Sequence, residues 1–143
     1  MTKIVAFLYG ILLVSVFTDT IKGKIPNRLI LIGSIVGILG THELWSQLIQ
    51  AFAVFLLLFT FFAGGVIGAG DVKCICMIGL YLEQELYITS ILSSFFIAAL
   101  FSVFILLQDL IFTKSKALQR KHTIHLALPI FLGVLISTGG TYL

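Results

Sequence analysis

Two aspartates, Asp19 and Asp71, are the residues of this sequence whose surroundings best suit chemistry. Asp19 follows a long apolar stretch, and Asp71 stands between a glycine-rich segment and another apolar stretch. Two carboxyl groups that lie close together resist joint ionisation, so one can act as a general base on water while the other, protonated, donates its proton. If the fold brings them together, the pair predicts the chemistry of an aspartic protease.

The composition indicates which elements must position the two aspartates. Hydrophobic residues make up 59% of the 143 residues and charged residues only 10%, against about 25% charged residues in soluble domains. We therefore predict an all-α, polytopic membrane helix bundle that forms a single domain over residues 1–143. Apolar stretches predict about six transmembrane helices, at residues 2–18, 27–43, 46–67, 72–83, 86–107 and 124–142.

The basic residues predict the orientation of the bundle. With six crossings, eight of the nine Lys and Arg residues fall on the side where the first helix ends, and Lys3 falls on the other. Because basic residues collect on the cytoplasmic side of the plasma membrane, the segments 19–28, 68–73 and 108–123 are expected to be cytoplasmic. The same topology explains the net charge of +3 without a nucleic-acid partner. Both aspartates would lie at the cytoplasmic edge.

The remaining acidic residues have simpler interpretations. Glu43, Glu83 and Glu85 are expected in the outer loops, and Asp109 in the basic cytoplasmic loop. Asp19 would end one helix, where the helix dipole disfavours ionisation, and Asp71 would begin another, where free N–H groups favour the anion. This difference predicts Asp71 as the base and Asp19 as the acid.

The glycines before Asp71 have two interpretations. Gly64, Gly65, Gly68 and Gly70 occur within seven residues. Glycine permits backbone shapes and close approaches that other residues do not, which suits a substrate site. Small residues are equally common where membrane helices pack together.

Two segments resemble the type IV prepilin peptidases, which are aspartic membrane proteases of the GxGD type. The segment DTIKGKIPN runs from Asp19 to Asn27, and GAGDVK runs from Gly68 to Lys73. The resemblance implies Asp19 and Asp71 as catalytic residues, with Pro26, Asn27, Gly68, Gly70 and Lys73 in support, and neither metal nor cofactor. It also implies the substrates, which are pilin-like precursors with a short basic leader, a cleavage site after Gly and a following hydrophobic helix.

The chain also departs from the larger members of that family. Those members carry paired CxxC zinc motifs linked to N-methylation, whereas Cys74 and Cys76 lie two apart within an apolar stretch and are interpreted as packing residues. The chain resembles the short, core-only members, so methyltransferase activity is not expected. Two other functions stay open: a small proton-coupled or ion-coupled transporter whose aspartates bind the ion, and a non-catalytic scaffold for secretion.

Overall fold

The computed structural model describes residues 2–41, 43–65, 67–112 and 126–142. These residues form an all-α bundle, as the composition predicts. Its six helices are α1 (Thr2–Lys22), α2 (Asn27–Gly40), α3 (Leu44–Ala63), α4 (Ala69–Ile78), α5 (Gln84–Phe112) and α6 (Ala127–Tyr142).

Three of the helices are long and apolar enough to cross a membrane, namely α1, α3 and α5. The helices α2 and α6 are also apolar but shorter. With ten residues, α4 rises about 15 Å, or half of a hydrocarbon core about 30 Å thick. The chain is therefore a helical membrane protein with helices of unequal length.

Most predicted helix boundaries differ from the structure by a few residues, and the ends of the fourth and fifth helices differ most. The fourth predicted helix extended to residue 83, but α4 ends at Ile78, since Gly79 follows it and residues 79–82 form a turn. The fifth was expected to end at residue 107, yet α5 continues to Phe112, because residues 108–112 contain no Gly or Pro to interrupt its hydrogen bonds. The placement of Asp109 in a loop was therefore wrong. The rest of that expected loop, from residue 113, lies outside the described residues.

The helices α1, α2 and α4 approach one another closely at Gly33, so Ile11, Gly33 and Met77 lie at one level along the bundle axis. A Cβ atom on Gly33 would overlap Met77 Sδ and would lie 3.0 Å from Ile11 Cδ1. Further along, Gly37 meets Tyr81 and Gly40 meets Ile4 in the same way. These pairs show that α2 runs antiparallel to α1 and parallel to α4.

Small and hydroxyl residues join α5 to α6. A Cβ atom on Gly133 would lie only 2.6 Å from the backbone nitrogen of Ser94. The Ser93 hydroxyl donates to the Gly133 carbonyl over 3.1 Å, and the hydroxyls of Ser90 and Ser137 also bond to each other. The pairs 94–133 and 90–137 show that the two helices are antiparallel. The helix α6 also packs against α1.

The turn after α4 is anchored by two polar side chains. The Gln50 side-chain amide of α3 donates to the carbonyls of Gly79 over 2.7 Å and Leu82 over 2.8 Å. The Tyr81 hydroxyl donates to the Gly33 carbonyl of α2. The Gln50 bonds satisfy the carbonyls of Gly79, the C-cap residue of α4, and of Leu82 in the turn, while the Tyr81 bond attaches that turn to α2. They fix the C-terminal end of the helix that carries Asp71.

Candidate active site

Asp19 lies in the last turn of α1, on the side of that helix that faces the bundle. The side chains of Leu8, Leu12, Ser15 and Asp19 are all buried, and Asp19 is 8% exposed. Their spacing of three or four residues places them along one face of the helix. The carboxyl group therefore belongs to the packed face of α1.

The turn after Asp19 depends on a glycine that the sequence analysis did not single out. Gly23 has a φ of +62°, a conformation that glycine adopts without steric cost. Its N–H donates to the Asp19 carbonyl over 2.8 Å and thereby closes the helix. The chain then turns through the buried Ile25 to Pro26, which precedes α2 in an extended conformation. A glycine one residue after the end of a helix is the signal that could have identified it.

Asp71 lies in the first turn of α4, and Gly68 is the N-cap residue of that helix. The Asp71 N–H donates to the Gly68 carbonyl over 3.1 Å. A Cβ atom on Gly68 would lie 3.0 Å from the Asp71 carboxylate oxygen Oδ2, whereas one on Gly70 would meet Ile25 at 3.5 Å. Gly68 therefore leaves space beside the carboxylate and Gly70 packs on the segment after α1, while the substrate-site interpretation of these glycines stays a prediction.

The two aspartates lie at similar depth in the bundle. Asp19 follows Ile11 by eight residues and therefore lies about 12 Å along α1 from the level of Gly33. Asp71 precedes Met77 by six residues and therefore lies about 9 Å along α4 from the same level. Since α1 and α4 are antiparallel, both displacements point toward the same end of the bundle. The contacts between the helices therefore place both aspartates toward one end of the bundle, as the sequence predicts.

A third residue locates both carboxyl groups in one neighbourhood. Cys74 follows Asp71 by one helical turn, is buried and forms no disulfide. Its thiol lies within electrostatic range of both Asp71 and Asp19. The packing interpretation of Cys74 therefore agrees with its burial in the hydrophobic core.

A hydrogen bond connects the two motif segments directly. The Lys73 ammonium donates to the Asn27 side-chain oxygen over 3.1 Å. Asn27 is the first residue of α2 and Lys73 lies in α4. The bond therefore joins the helix that follows the Asp19 turn to the helix that begins beside Asp71. Both side chains are exposed.

A second group of polar side chains lies away from the aspartates, around a cavity at the other end of α1 and α2. Within the described residues no group of three His, Cys, Asp or Glu side chains could hold a metal ion. A cavity of about 610 Å³ is lined by Glu43, Gln47, Gln50, Glu83 and Glu85, among others. Because Ile4 and Gly40 also line it, this cavity lies at the opposite end of α1 and α2 from Asp19.

The helices define a helical membrane protein, and its two aspartates, Asp19 and Asp71, lie toward one end of the bundle as a candidate site. The model of the type IV leader peptidase family matches residues 6–103, a range that includes Asp19, Asn27, Asp71 and Lys73. The chain therefore belongs to the type IV leader peptidase family, and the resemblance seen in its sequence is confirmed. No curated protein and no solved structure matches the chain significantly.

Proposed function

We propose that this protein is a membrane aspartic endopeptidase that removes the basic leader from type IV prepilin-like precursors. Membership of the type IV leader peptidase family supports a protease. The observation that carries the proposal is the position of Asp19 and Asp71 at one depth, on two helices whose motif segments are joined by the Lys73–Asn27 bond. The proposed site faces the cytoplasm of a plasma membrane that the chain crosses several times.

The proposed mechanism divides the chemistry between the two carboxyl groups. Asp71, in the first turn of α4, is ionised because the N–H groups of that turn favour an anion. It takes a proton from a water molecule, whose oxygen attacks the scissile carbonyl carbon, while protonated Asp19 donates its proton to the carbonyl oxygen. When the tetrahedral intermediate collapses, the C–N bond breaks and the leaving amine receives the proton that Asp71 had taken. One hydroxyl of the intermediate returns its proton to Asp19, so that the carboxylic acid product forms and the dyad is restored.

The orientation of the proposed substrate follows from charge. A basic leader stays on the cytoplasmic side for the same reason as the basic segments of the enzyme. The hydrophobic helix behind the leader lies in the bilayer, so the bond between them falls near the membrane surface. The proposed depth of Asp19 and Asp71 corresponds to that boundary.

Co-expression with a pilin-like precursor tests the proposal. We expect the chain to convert the precursor to a shorter product, visible on a gel and identified by mass spectrometry as cut after the glycine that ends the leader. A precursor with that glycine replaced by Val is the matched substrate control and should stay intact. If a panel of such precursors remains uncut while the chain is present in the membrane, the proposed substrate class is wrong.

The Lys73–Asn27 bond should support catalysis by holding α2 against α4. We expect Lys73→Met and Asn27→Ala each to lower precursor cleavage about tenfold, since small displacements of catalytic groups are costly. The double variant should be no slower than either single variant, because both changes break one bond. Lys24→Met, an exposed cation between α1 and α2, is the control and should cleave normally. If the double variant instead cleaves about a hundredfold more slowly than the native chain, the two residues act separately.

A further inference from the structure

The buried face of α1 carries a second polar side chain. Ser15 precedes Asp19 by four residues and is 1% exposed. Side chains four residues apart on a helix lie over one another, with Cβ atoms about 6 Å apart. The Ser15 hydroxyl is therefore one helical turn deeper than the Asp19 carboxyl group, on the same face.

Ser15 differs from the other buried hydroxyl residues that the structure describes. The hydroxyls of Ser90 and Ser94 each donate to the carbonyl four residues earlier, over 2.6 Å in both cases. Thr138 donates to the corresponding carbonyl of Val134. This bond within the helix is the usual partner of a buried hydroxyl. For the Ser15 hydroxyl, no hydrogen-bond partner lies within the described part of the chain.

Ser15 lies one helical turn deeper in the bundle than Asp19. Ser15 follows Ile11 by four residues, and Cys74 precedes Met77 by three. Each therefore lies about 5 Å from the Gly33 level, toward the aspartates. Cys74 is the residue whose thiol is within electrostatic range of both carboxyl groups. The Ser15 hydroxyl and the Cys74 thiol thus lie at similar depth, one helical turn or less deeper in the bundle than the aspartates.

We propose that Ser15 is a positioning residue whose hydroxyl holds the Asp19 carboxyl group through one water molecule. This inference rests on the proposed function. A single water bridges polar groups that are too far apart to bond directly, and a buried water needs two or more polar partners. Ser15 and Asp19 supply two, and the bridge adds to the interactions that Asp19 already makes. It orients the carboxyl group toward the side of the dyad where Asp71 lies.

A double-mutant cycle on thermal unfolding in detergent tests the bridge without requiring cleavage. We expect Ser15→Ala to lower the Tm by about 3 °C in the native chain and by less than about 1 °C in an Asp19→Ala background. Ser90→Ala, the matched control, should lower the Tm equally in both backgrounds. A hydroxyl that merely lacked a partner would give an unchanged or higher Tm on removal, and that result would overturn the proposal.

Cleavage kinetics test the positioning role. Ser15→Ala should lower kcat about tenfold with an unchanged KM, and Ser15→Thr, which keeps a hydroxyl, should recover most of the rate. A coupling to Asp19 with no change in kcat would overturn the positioning role. If native protein cuts no precursor while the Tm coupling is present, the proposed substrate has failed and the bridge has not.

Discussion

Replacement of either Asp19 or Asp71 by Asn is expected to lower precursor cleavage by about a thousandfold or more. Asn keeps the size of the side chain but cannot exchange a proton at the working pH, and acid–base catalysis by a positioned group is worth about 10²–10⁴ in rate. The measurement is the rate of leader removal by purified protein in detergent or vesicles. Glu43→Gln, an exposed acidic residue near the opposite end of α1 and α2, is the control and should cleave normally.

The double variant distinguishes a shared dyad from two independent sites. Groups that act as a unit show strongly non-additive losses, so Asp19→Asn combined with Asp71→Asn should be no slower than the slower single variant. Each variant must also reach the membrane in normal amounts with an unchanged Tm. Native cleavage by either single variant would refute the proposed roles of the two aspartates.

Gly133→Ala is expected to be the most destabilising of the small substitutions. The added Cβ atom would lie 2.6 Å from the Ser94 backbone nitrogen and 2.8 Å from its Cα atom, so α5 and α6 would have to separate. Overpacking of this kind costs about 1–3 kcal/mol, and we expect the upper end because backbone cannot rotate away. Thermal unfolding in detergent measures the loss, and the amount of protein in the membrane should fall with it.

Two other glycines provide the matched controls. Nothing lies within 4 Å of a Cβ atom on Gly10, so Gly10→Ala should be neutral or stabilise α1 by about 0.5–1 kcal/mol. Gly33→Ala should cost less than Gly133→Ala, because the atoms it meets belong to the flexible side chains of Met77 and Ile11. Equal stability of the Gly133 and Gly10 variants would mean that α5 and α6 are not in close contact there.

The sequence was sufficient for the helical fold and for the candidate residues. Apolar length and the near absence of charge predict a membrane bundle without knowledge of any contact. Asp19 and Asp71 were identifiable because ionisable residues at the edge of apolar segments are costly and rare. Their common level followed from the alternating direction of successive helices.

The contacts that refine the site could not be predicted, because they join distant parts of the chain. The Lys73–Asn27 bond links residues 46 positions apart, and the Gln50 bonds to Gly79 and Leu82 cross from α3 to the end of α4. Ser15 is a small residue within an apolar helix, and its burial depends on contacts with other helices that the sequence does not reveal. Asp109 was predicted in a loop because hydropathy falls at that position. The helical hydrogen bonds of α5 nevertheless continue past it to Phe112.

The length of α2 has a consequence for the surrounding lipid. Its 14 residues rise about 21 Å, and Leu31, Ile32 and Leu39 are exposed on its outer surface. Acyl chains beside this helix therefore meet an apolar surface shorter than the bilayer, and such mismatch is relieved by local thinning or by polar flanking groups reaching the interface. Local thinning brings the headgroup region inward toward Asn27, the first residue of α2, whose side chain accepts the hydrogen bond from Lys73 of α4. The thickness of the host membrane therefore influences how close the lipid headgroups lie to the candidate site.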